Sequence, residues 1–198
     1  MPTQVFDANG GGQGRVFNGN ANYNTARTAS SGTANTDGTF GNSLSGGTYT
    51  VQRYFLPFNT AVIPANATIE SAFLRLVADG ATFNNADTDT IDVVASTQAS
   101  DTALANEDFD QAGATTFGAL ALASWTNSAG ANNDITLNAT GLAAIIKGGG
   151  YTKLGCRMRS DITPATPTGL NQVGLQATDI RLSVTYSVPS ESGDFKFL

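Results

Sequence analysis

The 198-residue chain contains no histidine and only one cysteine, Cys156. Without histidine it lacks the side chain that most often serves as a general base near neutral pH. A Ser–His–Asp triad and a Cys–His pair are both excluded. A lone cysteine cannot form an intrachain disulfide. In the run YTKLGCRM, Cys156 reads as a small buried hydrophobe, the usual fate of a free cysteine. Charge is also scarce. Charged residues make up 13% of the chain, about half the usual share of a soluble domain. The surface must therefore be built from Thr, Ser, Asn, Gly and Ala. The net charge is −6, which argues against the basic patch a nucleic-acid binder needs. The only local basic group is Lys147, Lys153, Arg157 and Arg159. On a strand, residues 153, 157 and 159 share a face, and a solvated face is the expectation. No stretch approaches the roughly 20 apolar residues of a membrane span, so membrane insertion is not expected. The start, MPTQVFDANGGGQG, has no charged segment followed by an apolar one, so no secretory leader is expected.

What is present is alternation. Successive side chains of a strand point to opposite faces. In YTVQRYFLPF, Gln52, Tyr54, Leu56 and Phe58 share one face, and Arg53 and Phe55 share the other. In IESAFLRLVA, Ala72, Leu74 and Leu76 share a face opposite Arg75. The two runs are joined by a loop punctuated by Pro64 and Asn66. Pro57 requires that its strand end there or lie at an edge. Ile91, Val93 and Ala95 alternate with Asp92, Val94 and Ser96. Further strands are expected within Thr116–Leu122 and over Asp134–Leu137, Tyr151–Met158 and Thr178–Ser187. In the last, Ile180, Leu182, Val184 and Tyr186 share a face. A short helix is expected near 139–147, capped by Asn138 or Thr140 and stopped by Gly148. Each strand is expected to bury one face. The expected fold is therefore all-β, a sandwich of two antiparallel sheets with that one helix.

The chain divides by composition. Residues 1–47 hold ten of the 22 glycines and read as an arm followed by a long polar loop. The sandwich occupies 48–187. Residues 188–198 form a tail with a polar spacer and an apolar end, Phe195, Phe197 and Leu198, which are the expected assembly contacts.

The order of segments is informative. RYFLPF leads through a Pro to IESAFLRL; DITLNATGLAAIIKGG carries a strand into a helix; a strand returns; and RLSVTY closes the series. Over roughly residues 48–187 this order resembles the DNRLRE family of jelly-roll β-sandwich domains, named from disaggregatase-related repeats. The resemblance implies a jelly roll similar to carbohydrate-binding modules, of the kind appended to secreted bacterial and archaeal surface proteins. Similar sandwiches occur in phage virion proteins.

Candidate chemistry is sparse. Asp87, Asp89 and Asp92 in NNADTDTID, with Asn85, offer oxygen ligands of the type calcium prefers, but without the glycine and distal glutamate of an EF-hand loop. Glu107, Asp108 and Asp110 are the one dense carboxylate group that glycoside hydrolysis would need, and a solvated loop is expected there. GGGQG lacks the helix and lysine of a phosphate loop and reads as a turn. Tyr23, Tyr49, Tyr151 and Trp125 are the aromatics available to stack on sugars. No cofactor is expected apart from the candidate calcium. The leading expectation is a non-enzymatic structural protein of a virus particle, made in a host cytoplasm: a bacteriophage capsid decoration, head fibre or tail component. Its partners are itself, other virion proteins and, as a further option, surface glycans. The alternative is a carbohydrate-binding β-sandwich module. A polysaccharide-degrading enzyme ranks last.

Overall fold

The computed structural model describes residues 1–189. Its strands are β1 (Thr3–Asp7), β2 (Gly14–Asn20), β3 (Thr33–Asn35), β4 (Thr39–Ser45), β5 (Thr48–Asn59), β6 (Thr68–Asn85), β7 (Thr90–Ala95), β8 (Gly118–Ala121), β9 (Asn132–Thr136), β10 (Tyr151–Met158), β11 (Leu170–Leu175) and β12 (Arg181–Ser187). Three short α-helices, α1 (Tyr23–Arg27), α2 (Ala139–Ala143) and α3 (Arg159–Ile162), and three 3-10 turns, Asn106–Gln111, Leu122–Ser124 and Ala177–Asp179, sit between them. Strand accounts for 48% and helix for 14%, so the fold is all-β. The strands form a curled antiparallel sheet in the order β1-β12-β6-β11-β4-β5-β10-β7-β8, with β2, β3 and β9 paired off that path. β6 spans much of it: Thr68–Arg75 pairs with β12, Phe73–Val77 with β9, and the stretch from Ala78 onward with β11.

The concave side encloses the larger core. Tyr54, Leu56 and Phe58 of β5 meet Leu74 and Leu76 of β6, Ile91 and Val93 of β7, and Leu182 and Val184 of β12. These are the faces that alternation predicts. The opposite faces differ from the expectation of one buried face per strand. Val51, Phe55 and Val94 belong to a second buried cluster, with Val16, Tyr23, Ala26, Phe109 and Ala112. β5 is thus buried on both sides from Val51 to Phe58, because α1 and the 106–111 turn cover its outer face. A doubly covered strand reads as a near-continuous apolar run, as RYFLPF does. Pro57 lies two residues beyond the last β2 partner, Phe55, so it interrupts none of the β2 pairing.

Three further differences have local causes. The expected loop before residue 47 contains α1, β3 and β4. Asn22 caps α1 by accepting from the Thr25 amide, and β4 joins β5 through Gly46 and Gly47, both at positive φ, in a two-residue hairpin turn. The helix near 139–147 is shorter, α2 alone, capped by Asn138. β11, in LNQVGL after the prolines, has no counterpart among the expected strands. It is held between β4 and β6 by ladder bonds although its sequence alternates poorly. Among the described residues no helix is long and apolar enough to cross a membrane.

The β4–β11 contact is close enough to demand glycine. A Cβ on Gly41, whose φ is +152°, would lie 2.0 Å from the Asn171 carbonyl oxygen, whereas one on Gly10 would meet nothing within 4 Å. Gly41→Ala is expected to destabilise the fold by about 1–3 kcal/mol, as forced overpacking does. Gly10→Ala serves as the near-neutral control in the same denaturant titration.

Candidate functional site

The outer face of β5 and β10 carries the densest polar assembly. Arg53 and Arg157 project from these strands toward Asp161, which follows β10 on α3. The Arg53 guanidinium donates twice to the Asp161 carboxylate, from Nε to Oδ2 at 2.7 Å and from Nη2 to Oδ1 at 2.9 Å. Arg157 Nε donates to Oδ2 at 2.7 Å. Arg27, at the end of α1, lies 3.8 Å from Oδ1 and donates to the Asp161 main-chain carbonyl at 2.9 and 3.1 Å. The remaining guanidinium donors reach main-chain carbonyls: Arg53 to Phe109 and Arg27, Arg157 to Ala112 and Gly113. Arg53 also lies 4.3 Å from the centre of the Phe109 ring, a cation–π contact. Asp161 is fully buried, and Arg53 and Arg157 nearly so. Burial would raise the Asp161 carboxyl, but the hydrogen bonds from Arg53 and Arg157 outweigh it and hold the carboxyl below the usual range.

The hub lies at a fork in the sheet. β4 pairs with Thr48–Val51 of β5 and β10 with Tyr54–Asn59, while β2 runs along the other edge of both stretches. β4 and β10 therefore share one edge of β5, and the break between them falls at Gln52 and Arg53. Asn42 of β4 reaches across with its amide 2.7 Å from Ser160 Oγ and 3.3 Å from the Tyr23 hydroxyl. Burial, reinforced by the Asp161 charge, pushes the Tyr23 phenol up to about 12.

Next to the hub is a polar recess of about 250 Å3, walled by Asp87, Thr88, Asp89, Arg159, Ser160 and Thr166 among others. Ser160 donates to Asp89 through its hydroxyl at 2.5 Å and its amide at 3.2 Å. Thr88, with φ of 57°, is the one non-glycine residue in the left-handed region among the described residues, a conformation costly for a β-branched side chain. The ring of Tyr49, 5.7 Å from that of Tyr23, borders a second hollow that shares Thr166. Such walls can exchange hydrogen bonds with a hydroxyl-rich ligand.

The structure does not gather Asp87, Asp89 and Asp92 around one point. Asp87 accepts from the Thr168 amide and hydroxyl and from Asn171. These bonds hold its carboxyl low against the raising effect of burial. Asp89 serves Ser160 and the Thr90 amide. Asp92 forms a two-bond pair with Arg159 at 2.6 and 2.9 Å. No group of three His, Cys, Asp or Glu able to hold a metal exists among the described residues.

The acidic group near 107 is a turn, and Asp108 faces inward to accept from the Ala99 and Ala105 amides. The expected basic face also dissolves: Arg157 is buried, Arg159 opens α3, and Lys147 and Lys153 bond separate carbonyls. Tyr23 and Trp125 are buried, and Cys156 is a core residue whose thiol is pushed up by burial. Phe195, Phe197 and Leu198 lie outside the described residues. Sequence reasoning missed Asp161, Arg27, Ser160 and Asn42. The signal for them was Arg53, a charge in the middle of an apolar strand, which demands a buried counterion. No protein-family model matches this chain, and no curated protein matches it in sequence.

Asp161→Asn leaves two arginines buried without their counterion and is expected to cost about 3–5 kcal/mol, read by chemical denaturation. The pH dependence follows from the lowered carboxyl. The contribution of Asp161 is complete above the ordinary aspartate value of about 3.9 and is lost as pH falls through the lower folded value. The wild-type chain should therefore lose stability on acidification more steeply than Asp161→Asn. Parallel slopes would contradict this. Calcium titration tests Asp87, Asp89 and Asp92: with their oxygens occupied by donors, the melting temperature should not move, whereas a site would raise it with concentration.

Proposed function

We propose that this chain is a non-enzymatic structural protein of a virus particle, of the kind that decorates a bacteriophage capsid or builds a head fibre or tail. It is read as a jelly-roll sandwich of the DNRLRE type. The observation that carries this reading is the use the fold makes of its charges. All seven arginines are in ion pairs with aspartates, and the most buried of these, Asp161, gathers three of them. The outer surface is left rich in Thr, Ser, Asn and Ala, and the chain has no histidine to act as a base.

Self-association would run through β1. Among the described strands β1 pairs only with β12. Thr3, Gln4 and Val5 are exposed, Val5 to 58%. An open strand edge of this kind invites pairing with another chain. The full chain should sediment as a homo-oligomer. Val5→Lys, which charges the edge, should shift it toward monomer without lowering the melting temperature. A wild-type chain that stays monomeric at all concentrations would sink the reading.

A second reading, a carbohydrate-binding module, is supported by the recess at Asp87–Ser160 and the Tyr49 ring beside it. Reproducible binding of the isolated protein on a glycan array, lost in Tyr49→Ala, would favour it over the structural role.

A further inference from the structure

Among the described residues β1, β3, β8 and β9 each have a single ladder partner. Three of these strands are covered on their other side. Asn106 closes β3: its carbonyl accepts from the Gly32 amide and its side-chain oxygen from the Ala34 amide, both at 2.9 Å. β8 and the end of β9 close on each other. The Phe117 carbonyl accepts from the Asn138 amide at 2.6 Å, and a Cβ on Gly118 would lie 2.4 Å from the Thr136 carbonyl oxygen. β1 is left open. The Tyr186 amide donates to the Pro2 carbonyl, and the Ala8 amide donates to the Ile180 carbonyl. Even-numbered residues of β1 therefore form the hydrogen-bonded pairs with β12, and the N–H and C=O groups of Thr3, Val5 and Asp7 point outward. The opening is short. Asn9 donates to the Pro57 carbonyl at 2.9 Å, and Ala8 bridges to Phe58, which brings β5 against the Asp7 end. Met1, Thr3 and Val5 share one side of the strand. Met1 is 83% exposed and Val5 58%, whereas Phe6, on the other side, is buried.

We propose that β1 pairs antiparallel with β1 of a second copy about a two-fold axis at Thr3, so that one sheet runs β12-β1-β1-β12 through a dimer. The inference rests on the assembly reading above and names its partner, register and stoichiometry. Directly opposed side chains of an antiparallel pair lie on one face, so the two-fold axis must pass through a residue that opposes itself. An axis at Gln4 sets Met1 of the second copy opposite Asp7, and an axis at Val5 sets Thr3 there. Both place the second copy where β5 already lies. An axis at Thr3 sets Met1 opposite Val5 and stops short of Asp7. The edge is then self-complementary. Thr3 exchanges both main-chain bonds with Thr3 of the second copy, Met1 and Val5 cover each other on both sides of the axis, and no side-chain charges meet. The pairing also closes at two. A two-fold contact uses the same edge on both copies, and growth into a fibre needs a second open edge, which β3, β8 and β9 do not offer. So short a ladder falls below the roughly 1,000 Å2 of a stable interface, so monomer and dimer should exchange with concentration.

The test is oxidation of Thr3→Cys in the full chain, with Gln4→Cys as control. Opposed Cα atoms of a hydrogen-bonded pair stand about 5.5 Å apart, within the ~4.4–6.8 Å that a disulfide spans. Thr3→Cys should therefore give a disulfide-linked dimer. Gln4→Cys, exposed on the same strand, should give none, and the native Cys156 is buried. Adding Val5→Lys to Thr3→Cys should abolish the crosslink. Sedimentation of the wild-type chain should rise from monomer to dimer with concentration and stop there. No crosslink in Thr3→Cys, an equal crosslink in Gln4→Cys, or wild-type species larger than a dimer overturns the proposal. Higher oligomers without the Thr3 crosslink keep the assembly reading and overturn only this pairing, whereas a monomer at every concentration overturns both. A Thr3-linked dimer that binds glycans through Tyr49 keeps the pairing and favours the module over the structural role.

Discussion

The Asp161 carboxylate, clamped between Arg53 and Arg157, is the constraint on which the outer half of the structure depends. Two guanidinium groups in a nearly dry interior are untenable without a counterion. With it, they become five-donor forks that bind the carbonyls of Arg27, Phe109, Ala112 and Gly113. These carbonyls belong to α1 and to the 106–113 segment, the parts that cover the outer face of β5. The hub therefore does more than neutralise charge. It satisfies the main-chain groups that irregular segments bring inside, which a purely apolar face cannot do. It also sits where β4 and β10 part along the edge of β5, so it fills the break in pairing at Gln52 and Arg53.

This arrangement explains why the chain tolerates so little charge elsewhere. Its seven arginines are committed to holding strands and loops together: Arg75 with Asp134 across β6 and β9, Arg181 with Asp7 across β12 and β1, Arg159 with Asp92 at the end of β10. The absence of histidine and the burial of Cys156 remove the usual reactive side chains. The features that remain facing outward are hydroxyls, amides, an open strand edge and a polar recess. These can all make contacts, and the structural role proposed above draws on them.

The sequence carried the larger core plainly. The alternation in residues 50–58 and 69–76, and the TDIRLSVTY segment, placed Tyr54, Leu56, Leu74 and Leu182 on the faces where they are found. The bounds of β10 were also legible, because its run is apolar and flanked by glycines and by Arg159. The second core was not. Its cover comes from Phe109 and Tyr23, far from β5 along the chain, and no local pattern announces such a contact. β4 and β11 were missed for the same reason. TFGNSLS and LNQVGL have weak strand preference, and their extended form is imposed by neighbours on both sides. Asp161, in RSDITP, carries no local signal of its role, and its partner Arg53 lies 108 residues earlier. The unpaired charge in RYFLPF was a legible question, but its answer is tertiary.

The most direct test of the hub is a double-mutant cycle on Arg53 and Asp161, using Arg53→Met and Asp161→Asn, with stability read by denaturant titration. If the two charges act as one buried unit, the double variant should be little worse than the more damaging single one, giving a coupling of about 0.5–3 kcal/mol. Losses that add to within about 0.5 kcal/mol would mean that the two side chains act independently, and would contradict the central place given to their contact.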